Sequence, residues 1–189
     1  MTEPRDSTEY QELISRYNKW REAYLCGGKP APNEPAWENG RLNFRIGYPY
    51  PDWRAFIIDE TDDGYRVLNA TTERSNVATE GWKATFSRLE DAGKYVIATI
   101  ADYLRIECRT DPIALRWRTE GLDPRVSKEE LPGGLAKYVL TSNPDAYMIS
   151  TGRGTKPEHH VLPLSYDALN LILAEGLTHE ISHCIEADH

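Results

Sequence analysis

Across residues 8–25, apolar and aromatic side chains recur at Tyr10, Leu13, Ile14, Tyr17, Trp20 and Tyr24, close to the 3.6-residue period that lines them along one helix face. Thr8 and Gln11 have capping-box spacing and Gly27 offers a stop, so the pattern predicts a first amphipathic helix. Past a proline-rich connector at residues 29–35 the period drops to two. Leu42, Phe44 and Ile46 alternate with Arg41, Asn43 and Arg45 behind the hairpin dipeptide Asn39-Gly40, which predicts a half-buried strand. Short β-rich runs follow at residues 53–59, 65–71 and 82–86, with Asp62-Asp63-Gly64 turning between the first two. Connections this short point to an antiparallel meander.

The helical period returns with Leu89, Ala92, Val96, Ile100, Tyr103 and Leu104, opened by Ser87 and Glu90 as a second capping box. That helix is expected to cover one face of the sheet. Asp111-Pro112, Asp123-Pro124 and Leu131-Pro132-Gly133-Gly134 punctuate a less regular region. Strands are expected again at residues 135–141 and 146–151, then an exposed loop at 152–158 and one more strand at 160–164. Ser165 suits the N-cap of a last helix with Ala168, Leu169, Ile172 and Leu173 inward. Strands and helices thus come in segregated runs, the order of an α+β fold: an antiparallel β-meander packed against amphipathic helices. One domain is expected over residues 1–189, with 1–7 and 186–189 as flexible ends.

Composition narrows the function classes. Apolar residues make up 40% and charged residues 28% of the chain, near the globular average. Thirty acidic against 22 basic side chains give a net charge of −8, which disfavours a polyanionic partner such as nucleic acid. No window approaches the ~18 to 20 apolar residues of a membrane span, and residues 1–7 lack the basic-then-apolar order of an export signal. Cys26, Cys108 and Cys184 are odd in number, far apart and never in Cys-x-x-Cys spacing, which argues against a disulfide framework or a cysteine zinc site. They read as small core residues of a cytoplasmic protein with neither nucleic acid nor membrane among its partners.

The most conspicuous motif is His179-Glu180-Ile181-Ser182-His183, a match to H-E-x-x-H, with His189 at third-ligand spacing. A zinc-dependent hydrolase would need His179, His183 and His189 on the metal and Glu180 as general base. Glu186 occupies the position where that pattern has its turn-making glycine. On a continuing helix, Leu177, Ile181, Cys184 and Ile185 form the apolar side and the histidines face water. The solvated-face reading is therefore preferred, with no cofactor and no catalytic residue expected. His159 and His160, behind Lys156-Pro157-Glu158, read as a solvated loop edge. No Gly-x-Ser-x-Gly elbow occurs, and Gly152-Arg153-Gly154-Thr155-Lys156 lacks the Gly-Lys-[Ser/Thr] ending of a phosphate loop.

Tyr48, Tyr50 and Trp53 crowd beside Pro49 and Pro51 between two predicted strands. Stiffened amphipathic aromatics are the material of interface hot spots, and equally of the cover over an open core edge. Both readings stand at this level.

Residues 81–105, with Trp82, Phe86, Leu89-Glu90-Asp91-Ala92, Lys94-Tyr95 and Asp102-Tyr103-Leu104-Arg105, resemble the immunity protein 61 family of actinobacteria. The likeness extends back through Trp37, Asn39 and Gly40 and covers roughly residues 10–110. It implies an α+β protein without enzymatic activity that binds a cognate secreted toxin domain in a 1:1 complex and blocks its active site. The best-known target in the family is an NAD⁺ glycohydrolase. For such an inhibitor, Tyr48, Tyr50 and Trp53 are the candidate contacts, and Asp59, Glu60, Asp62 and Asp63 could steer encounter with a basic cleft. The plainer reading of those acids is a solvated hairpin turn.

Overall fold

The computed structural model describes residues 7–73 and 77–186. Helix α1 (Thr8–Cys26) leads through the connector into β1 (Ala36–Glu38), β2 (Arg41–Ile46), β3 (Arg54–Thr61), β4 (Gly64–Thr71) and β5 (Thr79–Phe86). Helices α2 (Leu89–Glu107) and α3 (Ile113–Glu120) come next, then β6 (Val126–Leu131), β7 (Leu135–Leu140) and β8 (Tyr147–Thr151). A 3₁₀ turn (Pro157–Val161) precedes α4 (Tyr166–Ala174) and α5 (His179–Glu186). Among the described residues the eight strands form one antiparallel sheet in the order β1-β2-β3-β4-β5-β8-β7-β6. Two meanders therefore meet at the β5–β8 seam, and α2 and α3 carry the chain between them.

The registers follow from turn chemistry. Asn39 (φ 51°) and Gly40 (φ 77°) connect the opposed pair Glu38 and Arg41, both in the left-handed region that a tight hairpin demands. From there the period-2 alternation sends Leu42, Phe44, Phe56, Ile58, Val67, Ala84 and Phe86 to one face, where they join Leu13, Tyr17, Trp20, Val96 and Ile100 in the main core. Each leucine, isoleucine, valine or phenylalanine among them contributes about 1.5–3 kcal/mol when fully buried. The opposite face carries a small cluster of Ala55, Ile57 and Ala70 with Trp53 and Leu68 against it. The result is a single α+β domain with its helices gathered on one side of the sheet.

Buried polar groups tie the helices down. Trp20 donates from Nε1 to Asn170 at 2.9 Å, fixing α1 against α4. Lys94 and Asp91 are both wholly buried and pair at 2.8 Å, with Arg88 forked onto the same carboxylate at 2.7 and 3.0 Å. Asp102 accepts the N–H groups of Ile113 (2.6 Å) and Ala114 (2.9 Å) and so caps α3 from α2. Arg105 donates to the carbonyls of Asp111, Leu173 and Glu175 at 2.6–2.8 Å, closing α2 onto the end of α4. Several residues that carry the family resemblance are thus fasteners of the fold.

Four expectations about the elements differ from the structure. The cap of α1 is Ser7, whose hydroxyl accepts the Tyr10 N–H at 3.4 Å; it has the extended backbone that a cap needs, and Thr8 is already helical. Ser87 does not cap α2: its hydroxyl accepts the Tyr147 N–H at 2.9 Å and extends the β5–β8 seam. Residues 160–164 form no strand, because Pro157 starts the 3₁₀ turn in that segment. The irregular region contains α3 and β6.

Cys26 and Cys184 form a disulfide across 158 residues, against the reading of the cysteines as unpaired. It joins α1 to α5, a pairing set by helix packing rather than by sequence spacing, while Cys108 is free. Such bonds persist in oxidising compartments, so the cysteines no longer argue for a reducing cytoplasm. Most of the ends expected to be flexible, at residues 1–6 and 187–189, lie outside the described residues. No helix among those described is long and apolar enough to cross a membrane.

Candidate functional site

The loop at residues 47–53 joins β2 to β3 at one end of the sheet and is held from two sides. Asn33, in the connector, donates from Nδ2 to the Tyr48 carbonyl at 2.9 Å and accepts the Tyr48 N–H on Oδ1 at 3.1 Å. Within the loop the Tyr50 N–H donates to the Gly47 carbonyl at 3.0 Å, and Gly47 sits at φ 77°, a turn geometry that glycine adopts without strain. The Arg45 guanidinium lies 4.4 Å from the Tyr48 ring centre and 5.8 Å from that of Trp53. The two rings meet edge-on at 5.7 Å, and Glu38 pairs with the same guanidinium. Stacked cations of this kind contribute about 0.5–1 kcal/mol each at exposed sites.

The three aromatics have different surroundings. Trp53 is half-buried against the Ala55, Ile57 and Ala70 cluster. Tyr48 is 42% exposed and engaged by Arg45, whereas Tyr50 is 73% exposed. Sequence patterning had marked the rings but not their supports. Arg45 sits on the polar side of the β2 alternation and gave no sign of its partners. Asn33 is one polar residue in a proline-rich connector.

The acidic candidates lie elsewhere. Asp59 is committed to Arg66 at 2.6 Å, while Asp62 and Asp63 are exposed at the β3–β4 turn and Glu60 is exposed beside them. Strand β3 separates that turn from the aromatic loop, a distance of about 25 Å at ~3.3 Å per residue. The two patches are at opposite ends of one strand and cannot share a hot spot.

The histidines fall into two groups. His179 and His183 are exposed on α5 with ring centres 6.2 Å apart, and Ile181 and Ile185 form the buried side. His189 lies outside the described residues, and among those described no cluster of three metal-ligating side chains occurs. His159 and His160 overturn the solvated-edge reading, with exposures of 0% and 6%. Nδ1 of His159 donates to the Lys156 carbonyl and Nε2 accepts the Asp123 N–H at 2.9 Å, a pair of bonds that defines one neutral tautomer. Its ring stacks on Tyr138 at 5.1 Å, as that of His160 does on Trp117 at 5.4 Å. Burial pushes the His159 pKa down to about 4, and Arg125 draws that of Asp123 down to about 2.

These features define an α+β protein whose sheet end presents a braced aromatic loop. A solved structure with a similar fold is Rv3902c from M. tuberculosis, with a TM-score of 0.56 and 14% identity over 86% of this chain and 85% of that one. At that identity the likeness extends to the fold. No protein-family model and no curated protein sequence matches the chain.

Proposed function

We propose that this chain is an immunity protein, which binds a cognate toxin domain one to one and blocks the toxin's active site, the target being an NAD⁺ glycohydrolase. The observation that carries this reading is Tyr50, 73% exposed on a loop whose neighbours are braced by Asn33 and Arg45. A large amphipathic ring on a rigid loop makes a strong binding anchor, because little ordering is needed when the complex forms. The net charge of −8 favours a basic partner. The resemblance over residues 81–105 supports the same reading. In this account the chain performs no reaction and carries no cofactor. It acts in the cytoplasm of the toxin-producing cell, where Cys26 and Cys184 would be thiols.

Trp53 and Tyr48 shape the loop, and Tyr50 makes the contact. Tyr50→Ala should weaken binding to the cognate toxin domain by more than about 1 kcal/mol, roughly fivefold in Kd. Its melting curve should match that of the wild type, since so exposed a ring adds little to stability. An unchanged Kd in the folded variant would move the interface off the loop.

A further inference from the structure

A cavity of about 250 Å³ opens between α2, α3 and the 3₁₀ turn. Tyr95 and Tyr103 of α2, Trp117 of α3 and Val161 of the turn supply apolar walls, and Ile106, 55% exposed, stands at the mouth. Two acids also line it, Asp102 and Glu158. They differ in one respect. Both Asp102 oxygens accept backbone N–H groups at the start of α3, but Oε2 of Glu158 is buried with no hydrogen-bond partner. Among the described residues lining the cavity none is lysine or arginine. Arg54 stacks on the Tyr103 ring at 5.3 Å and belongs to a neighbouring depression.

A carboxylate with one oxygen stripped of water and unpaired is poorly compensated, and a cation in the cavity beside that side chain would offset its charge. Aromatic faces attract the same ligand through their negative quadrupole. Burial, reinforced by the Glu158 charge, holds the Tyr95 hydroxyl above its ordinary pKa, so it stays neutral. We propose that this cavity binds an alkyl cation, an ammonium or guanidinium on a short apolar stem, with its head beside the Glu158 carboxylate and its stem among Tyr95, Tyr103 and Trp117. An anion would meet two acids, and a neutral apolar ligand would leave Glu158 stranded. The chemistry fits a lysine or arginine side chain of a bound protein and equally a free amine. It uses none of the aromatic-loop residues, so it stands whether or not the partner is a toxin.

The test is titration of n-butylguanidinium into ¹⁵N-labelled full-length protein, followed at the Trp117 indole N–H. The expected result is a saturable shift that the neutral n-butanol does not reproduce. Glu158→Gln should weaken it by roughly tenfold or more, the weight of a charged hydrogen bond, with the rest of the spectrum retained. Ile106→Arg, which puts a cation of the chain's own at the mouth, should do the same. A matching Glu158-dependent shift with the blocked peptide acetyl-Gly-Arg-Gly-amide assigns the source as a protein side chain; a response to n-butylguanidinium alone assigns a free amine. An equal response to n-butanol, an unchanged affinity in Glu158→Gln, or no saturable shift in the wild type would overturn the proposal.

Discussion

His159 shows how one side chain couples the fold to pH. Its neutral tautomer is specified by two hydrogen bonds, and a second proton on Nε2 would break the bond from the Asp123 N–H. The folded pKa of about 4 lies below the usual 6.5, so between those values the unfolded chain binds more protons. Stability is therefore full above pH 6.5 and falls as the pH drops towards 4, by up to about 3 kcal/mol. Urea unfolding at stepped pH should show that decline in the wild type, and His159→Gln should flatten it. An equally steep decline in the variant would assign the effect to other groups. The burial of this histidine was not legible in the sequence. Its local neighbours, Lys156, Pro157 and Glu158, look like a surface loop, and the ring that covers it comes from distant Tyr138.

Asp91 makes a second case at the same scale. It lies between Arg88 and the fully buried Lys94, whose remaining partners are Glu90 at 3.2 Å and the Leu164 carbonyl. Removing one member of a buried pair strands the other at a cost of about 3–5 kcal/mol. Asp91→Asn should therefore lower the urea midpoint strongly, and Asp91→Leu combined with Lys94→Met should recover much of the loss. A mild effect of the single change would mean that Glu90 suffices.

Among the elements, those with strong periodicity were legible: α1, α2, α4 and strands β2 to β5 and β7 to β8. Three were missed for identifiable reasons. Strand β1 is three residues long, too short to show an alternation. Helix α3 buries only Ile113 and Trp117 along eight residues, too few to set a period. Strand β6, Val-Ser-Lys-Glu-Glu-Leu, is an edge strand, and edge strands carry charge that blurs alternation. Helix α5 was read only conditionally, as a continuation of the last helix with its histidines outward; that it is a separate helix after α4, and its covalent link to α1, were not legible. That disulfide closes a long stretch of chain, and such links add about 2–4 kcal/mol, chiefly by restricting the unfolded state. Cys26→Ser with Cys184→Ser should lower the melting temperature measurably, and reduction of the wild type should reproduce the loss. Identical melting of oxidised and reduced wild type would mean that packing of Ile181 and Ile185 alone secures α5.

At the scale of the molecule, the α+β class was legible from the segregated runs, while the joining of two meanders through β5 and β8 was not. Both strands look alike locally, and their short pairing, Thr85 with Ile149 and Phe86 with Met148, is a product of tertiary packing. The candidate site was partly legible: the rings of the 47–53 loop stood out, their braces did not, and the acids proved to be at the far end of β3. An interface of standard size spans about 800 Å² per partner, a patch of roughly 16 Å radius, so a complex centred on Tyr50 stops short of Asp62 and Asp63. From outside the contact, charges steer association rather than set affinity.

The central claim, that this chain inhibits by stoichiometric binding, is tested most directly by NAD⁺ hydrolysis by a cognate NAD⁺ glycohydrolase toxin domain, assayed while the full-length chain is titrated to molar excess. The account predicts a linear fall to zero activity near one equivalent. Hydrolysis that persists at excess, with the toxin active and this chain folded, would contradict it.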